Sequence, residues 1–209
     1  MKILVASNNP DKRLELEELL KGLPVEIVSL ADFPDAPRVV EDGETFEENA
    51  AKKASEMAQY SGLHTVADDS GLCVDALRGA PGVASARYAG PKGTYRDVCR
   101  KLLTALRRLP DGQRTARFEC HIAFADPQGD ILLRARGICE GRITRQTRGS
   151  RGFGYDPVFL YPPAGKTFAQ MEPREKNKFS HRARAMAEFR TKLAKLLEEL
   201  RANQVETRE

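Results

Sequence analysis

The chain opens on a short apolar run, Ile3-Leu4-Val5-Ala6, and turns polar at once at Ser7-Asn8-Asn9. A run of that length reads as a buried strand. Asn9 then fits an N-cap and Pro10 the first helical position, with Leu14, Leu19, Leu20 and Leu23 as an apolar stripe. Val25 to Leu30 predicts a second strand, and residues 31–44, rich in Pro, Asp and Gly, predict a loop. Thr45 and Glu48 form a capping box that starts a helix of about 16 residues. Leu63 to Ala67 predicts a strand, Asp68-Asp69-Ser70-Gly71 a turn, and Leu72 to Leu77 a further strand. Residues 78–93 carry many Gly and Pro without a period and read as loop. Thr94 opens a helix striped with Val98, Leu102, Leu103 and Leu106. Residues 115–126 and 130–140 are extended runs joined by Asp126-Pro127-Gln128-Gly129, a long antiparallel hairpin. Val158 to Tyr161 predicts a short strand. Ser180 caps a last helix with Met186, Phe189, Leu193, Leu197 and Leu200 on one face, expected to fray from about Asn203.

Early strands and helices alternate, and a hairpin follows. The expectation is an α/β fold, an elongated mixed β-sheet with flanking helices. No linker is marked, so residues 1–209 read as a single domain. Hydrophobic residues at 41% and charged residues at 31% exclude wholesale disorder. The net charge of +4 is too mild for a dedicated nucleic-acid binder and suits a pocket for an anionic small molecule. No stretch approaches the roughly 20 apolar residues of a membrane span. The first apolar run is too short for a signal-peptide core. Cys73, Cys99, Cys120 and Cys139 form no C-x-x-C pair and read as reduced thiols, so a cytoplasmic location is expected.

Six places break the pattern. At Ser7-Asn8-Asn9-Pro10-Asp11-Lys12 a buried strand runs into a helix start, whose free N–H groups and Lys12 suit an anion. An ordinary N-cap with a solvated lysine explains the same residues. At about 100° per residue, Asn49 and Lys53 share the face of Phe46, Ala50 and Met57. Lys53 must therefore snorkel, pair, or point into a polar cavity. Glu41, Asp42, Glu44 and Glu47 offer hard oxygen donors nearby. Asp68 and Asp69 are adjacent carboxylates whose repulsion a divalent cation would relieve, although Asp, Ser and Gly also make plain turns. Gly152-Phe153-Gly154-Tyr155-Asp156-Pro157 offers either a ring for stacking on a base or a core aromatic. Lys176, His181 and Arg182 are donors near a helix start, or exposed charges after a cap. Arg142, Arg145, Arg148 and Arg151 form a run that either neutralises phosphates or is solvated loop. Together these are the parts of a nucleoside triphosphate site, without a Walker A loop or a G-x-G-x-x-G fingerprint.

The segments Ser7 to Lys12, Glu41-x-Gly43-x-Thr45-Phe46-x-Glu48-Asn49-Ala50, Ala67 to Leu72, Ser85-Ala86-Arg87-Tyr88, Gly152 to Pro157 and Ser180-His181-Arg182 occur in one order. In them the chain resembles the noncanonical purine nucleoside triphosphate pyrophosphatases, the Ham1-like family, from residue 2 to about 200. The resemblance implies hydrolysis of ITP, dITP and XTP to the monophosphate and pyrophosphate, with Mg²⁺. It implies two lobes around a nucleotide-binding cleft, and a homodimer with no membrane or stable nucleic-acid partner. It implies Asp69 as the catalytic acceptor of a proton, and Glu41 and Asp69 as metal ligands with Asp68 as a further candidate. Ser7, Asn8, Asn9, Pro10, Asp11, Lys12, Lys53 and Ser70 would hold the triphosphate. Phe153, Gly154, Tyr155, Asp156, Lys176, His181 and Arg182 would hold the base. The first loop departs from the family's common Thr-Gly-Asn-x-Gly-Lys, with Asn8 and Asp11 in place of the glycines. Two rivals are a pyrophosphatase of similar fold for modified pyrimidine nucleotides and a nucleic-acid-binding protein, but the latter leaves Asp68 and Asp69 unexplained.

Overall fold

The computed structural model describes all residues except 8, 10, 11, 14, 15, 18, 19 and 207–209, and omits the side chains of 203–206. Among the described residues, seven strands form one mixed sheet in the order β2-β1-β3-β4-β5-β6-β7. Strand β1 (Lys2–Val5) pairs parallel with β2 (Glu26–Ser29) on one side and with the start of β3 (His64–Val74) on the other. The other pairings, through β4 (Thr115–Ala125), β5 (Ile131–Ile143), β6 (Phe159–Tyr161) and β7 (Lys166–Thr167), are antiparallel.

The sheet is covered on both faces, as strand alternation dictates. Helix α1 (Phe46–Ser61) buries Ala50, Ala54, Met57 and Ala58 against Leu4, Ala123 and Ala125. Its start is the expected Thr45/Glu48 capping box, and its end is Gly62 in the left-handed region at φ 68°. On the opposite face, helix α4 (His181–Glu206) packs Ala185, Met186, Phe189 and Leu193 against Ile122 and Phe124. Leu16 and Leu20, both helical, join that core. The stripe positions Leu14 and Leu19 lie outside the described residues. A further core sits where α2 (Tyr95–Ala105) brings Val98 and Leu102 to Leu72, Phe118, Phe159 and Phe168. The short helix α3 (Pro173–Lys176) precedes α4.

Two expectations are corrected. Asp68-Asp69-Ser70-Gly71 is not a turn but the middle of β3, and Leu72–Leu77 is no separate strand. An unbroken register with β4, from Thr65↔Ala125 to Val74↔Ala116, overrides the local turn preference of those residues. Within residues 78–93, Gly82–Arg87 forms a 3₁₀ segment. The last helix runs to Glu206, with no Gly or Pro to interrupt it.

Candidate active site

Strand β1 ends at Val5, and the Ala6 N–H donates to the Val66 carbonyl at 2.9 Å. From there β3 runs on, and among the described residues no strand lies beside it on that side. The 3₁₀ segment Gly82–Arg87 covers the far stretch of this edge. Ser85 Oγ accepts from the Leu72 N–H at 2.9 Å and donates to the Gly82 carbonyl at 2.6 Å. Gly71 is needed here, because a Cβ would stand 2.5 Å from Ser85 Oγ and 2.7 Å from Phe46. A cleft of about 900 Å³ opens along the edge, at the carboxyl end of β1, where open α/β sheets receive ligands.

Alternation along β3 turns Asp68 and Asp69 to opposite faces, and their surroundings differ. Asp68 Oδ2 meets Lys12 Nζ at 2.8 Å and Arg182 Nη2 at 3.6 Å, and accepts from Ser70 Oγ at 2.9 Å. Burial alone would raise this carboxyl, but Lys12, Arg182 and Lys53 hold it well below the usual carboxylate range. Asp69 goes the other way. Burial, with Glu41 and Asp68 adding to it against Lys53 and Lys12, lifts its pKa to about 6. Asp69 Oδ1 accepts from the Ser70 N–H at 3.0 Å, whereas Asp69 Oδ2 and Asp68 Oδ1 are buried without a hydrogen-bond partner among the described residues. Asn9 caps the helix start by accepting the Lys12 N–H at 3.4 Å and donates its own N–H to Ser7 Oγ at 3.3 Å.

Lys53 pairs with Glu41. Burial opposes the charge on Lys53, yet Asp68 and Glu41 raise its pKa. The loop carrying Glu41 is fastened by Asn49, whose Oδ1 accepts the Gly43 N–H at 2.8 Å. Asn49 therefore anchors the loop, and Lys53 pairs in a polar cavity instead of snorkelling.

At the other end of the cleft, Lys176 Nζ reaches Asp156 Oδ2 at 2.7 Å, and the same oxygen accepts the Phe153 N–H at 3.0 Å. The Phe153 ring lies 5.1 Å from Lys176 Nζ and 5.6 Å from the Arg182 guanidinium carbon. His181 stacks on Phe118 at 4.7 Å, and its Nδ1 is buried without a partner. Burial, with Arg182 and Lys176 near, pushes its pKa well below the usual value, so the ring is neutral. Tyr155 sits in the core, its hydroxyl donating to the Ser85 carbonyl at 2.9 Å. That bond ties the Phe153 turn to the 3₁₀ segment.

The cleft thus gathers Ser7, Asn9, Lys12, Glu41, Lys53, Asp69, Ser70, Lys176, His181, Arg182 and the segment Phe153 to Asp156. Asp68 joins through Lys12 and Arg182. The expected Asn8, Pro10 and Asp11 lie outside the described residues. The arginine run is not part of the cleft, since Arg145 pairs with Asp111 and Arg151 with Glu172 on the surface. The residue reading of the chain missed Arg38, Arg87 and Tyr95, which also line the cleft. Of these only Arg87 fell in a segment singled out in the sequence, and no role attached to it there.

An open mixed sheet, with a cleft of cations and tuned carboxylates at the end of its parallel strands, defines an α/β protein with a charged ligand-binding site. The chain belongs to the Ham1 family, whose model matches residues 3–192. It is 50% identical over 187 residues to the dITP/XTP pyrophosphatase of Desulforamulus reducens, spanning 89% of this chain and 92% of that one. The dITP/XTP pyrophosphatase of Syntrophobacter fumaroxidans is 49% identical over 200 residues, 96% of this chain and 85% of that one. A HAM1 protein structure from Coxiella burnetii superposes with a TM-score of 0.88 at 41% identity, covering 93% of this chain and 99% of that one.

Proposed function

We propose that this chain is a nucleoside triphosphate pyrophosphatase that hydrolyses ITP, dITP and XTP to the monophosphate and pyrophosphate, with Mg²⁺. The observation that carries the reading is the pair of adjacent carboxylates driven apart in basicity within one cationic cleft. Two acids with opposite tuning mark an acid–base assignment. The names of the two relatives point the same way.

On this reading Ser7, Asn9, Lys12, Lys53 and Ser70 hold the triphosphate at the end of β1. Water attacks the α-phosphorus, the bond from that phosphorus to the α–β bridging oxygen breaks, and pyrophosphate leaves. Asp69 is the group basic enough to accept the water's proton. Asp68, held ionised by Lys12 and Arg182, positions those cations instead.

The donors suit a small hard cation. Among the described residues no group of three or more His, Cys, Asp and Glu stands ready to hold a metal. Mg²⁺ needs few carboxylates, because it completes its shell with water and phosphate oxygens. Asp69 Oδ2 and Asp68 Oδ1 are the buried oxygens left for it, and Glu41 would join by giving up Lys53. Bound there, Mg²⁺ would neutralise charge on the phosphate oxygens as the bond breaks.

For the base, Phe153 and Lys176, with the neutral His181 and Arg182, favour an acceptor O6 over adenine's amino group, which would face donors. One continuous sheet supports treating residues 1–209 as a single domain. Among the described residues no helix is long and apolar enough to cross a membrane. A cytoplasmic homodimer completes the reading. The test is product analysis with ITP. Inosine monophosphate plus pyrophosphate, lost in EDTA, is expected. Release of single phosphates would contradict cleavage between the α- and β-phosphates.

A further inference from the structure

Six cationic side chains line the cleft. Lys12 and Arg182 are tied to Asp68, Lys53 to Glu41 and Lys176 to Asp156, so four of the six face carboxylates. The other two are Arg38 and Arg87. Among the described residues neither side chain has a hydrogen-bond or ion-pair partner. Both are exposed, so neither owes its place to the core.

Their positions in the chain are informative. Arg38 lies in the irregular stretch between β2 and α1, three residues before Glu41 and joined to it by Val39 and Val40, which line the same cleft. Arg87 ends the 3₁₀ segment that Ser85 pins to the edge of β3. Two separate segments, each fastened to the carboxylate region, therefore bring an arginine with an unpartnered side chain to the lining of one cavity.

We infer that Arg38 and Arg87 are phosphate-binding side chains that supply the cleft's uncompensated charge toward a polyphosphate chain. The paired cations are largely neutralised before any ligand arrives, whereas a triphosphate brings about four negative charges. Arginine suits the task because its planar fork gives phosphate two parallel hydrogen bonds. The inference rests on the triphosphate reading above and adds two residues to it.

The test is calorimetric titration of tripolyphosphate in EDTA, so that it reads the side chains without metal. The proteins are the wild type, Arg38→Gln, Arg87→Gln and the double variant. Each single substitution should weaken tripolyphosphate binding about tenfold, the size of a lost charge-assisted hydrogen bond. The Arg→Lys variants should fall between, keeping charge but losing the fork. KM for ITP should rise by a similar factor with kcat little changed. Both residues are exposed, so melting temperatures should not move. Unchanged tripolyphosphate affinity in the double variant would overturn the inference, as would an equal loss of affinity for inosine. Wild type that binds tripolyphosphate yet releases no pyrophosphate from ITP would overturn the proposed reaction and leave the arginine assignment standing. Wild type that binds neither would overturn both.

Discussion

Asp69 is where a residue's cost and its proposed use coincide. Its folded-state pKa of about 6 lies above the ordinary aspartate value of 3.8. Between those two values the unfolded chain has released the proton while the folded chain keeps it. Stability therefore falls as pH rises through that window, and the penalty persists above it. Two units correspond to on the order of 2–3 kcal/mol. Asp69→Asn should raise the melting temperature at pH 8, leave it nearly unchanged at pH 4, and remove turnover. Melting curves at both pH values, beside a pyrophosphate assay, check this. Retained turnover would remove Asp69 from the mechanism. Asp156 has the opposite character, because it satisfies both Lys176 Nζ and the Phe153 N–H. Asp156→Ala leaves a buried lysine unpaired, which should cost about 3 kcal/mol and loosen the Phe153 turn. KM for ITP should then rise more than kcat falls, as steady-state kinetics on the variant would read out.

At the scale of elements, the contact between β5 and α4 sets the position of His181 and Arg182. A Cβ on Gly137 would stand 2.0 Å from the His181 carbonyl and 2.4 Å from the Ala185 nitrogen, so the backbones meet there directly. Gly137→Ala must push the start of α4 away, at a cost of about 3 kcal/mol. Stability and activity should fall together, and a variant with normal melting and normal kinetics would contradict this coupling. The same scale shows what the sequence made legible. The α1 start at Thr45 and Glu48 and the β4–β5 hairpin rest on local chemistry, and the structure holds both near their expected bounds. Asp68 to Gly71 carries the local signature of a turn, but its extended form depends on β4, a partner more than forty residues away in sequence. Lys53 stood out, being a charge on an apolar helical face. Arg38 could not, because an arginine in an irregular stretch has no periodicity to violate, and Arg87 lies in a 3₁₀ segment too short to show one.

For the whole molecule, the geometry of the site follows from one topological fact. A short parallel strand, β1, pairs with only the first part of a long strand, β3, that is otherwise antiparallel to its neighbour. The edge of β3 beyond β1 becomes the floor of the cleft, with α1 delivering Lys53 from one face and α4 delivering His181 and Arg182 from the other. Phosphate-binding and base-binding residues thus come from both faces of one sheet, and Arg182, near both Asp68 and Phe153, links the two ends. A cleft built this way should favour a purine triphosphate with an acceptor at O6 and cleave it between the α- and β-phosphates. The most direct measurement is pyrophosphate release from ITP, XTP, GTP, ATP and UTP in parallel, with Mg²⁺ and with EDTA. Mg²⁺-dependent release from ITP and XTP, far faster than from ATP and UTP, is the predicted result. Comparable release from all five, or a preference for UTP, would contradict the base assignment, and no release from any would contradict the reaction itself.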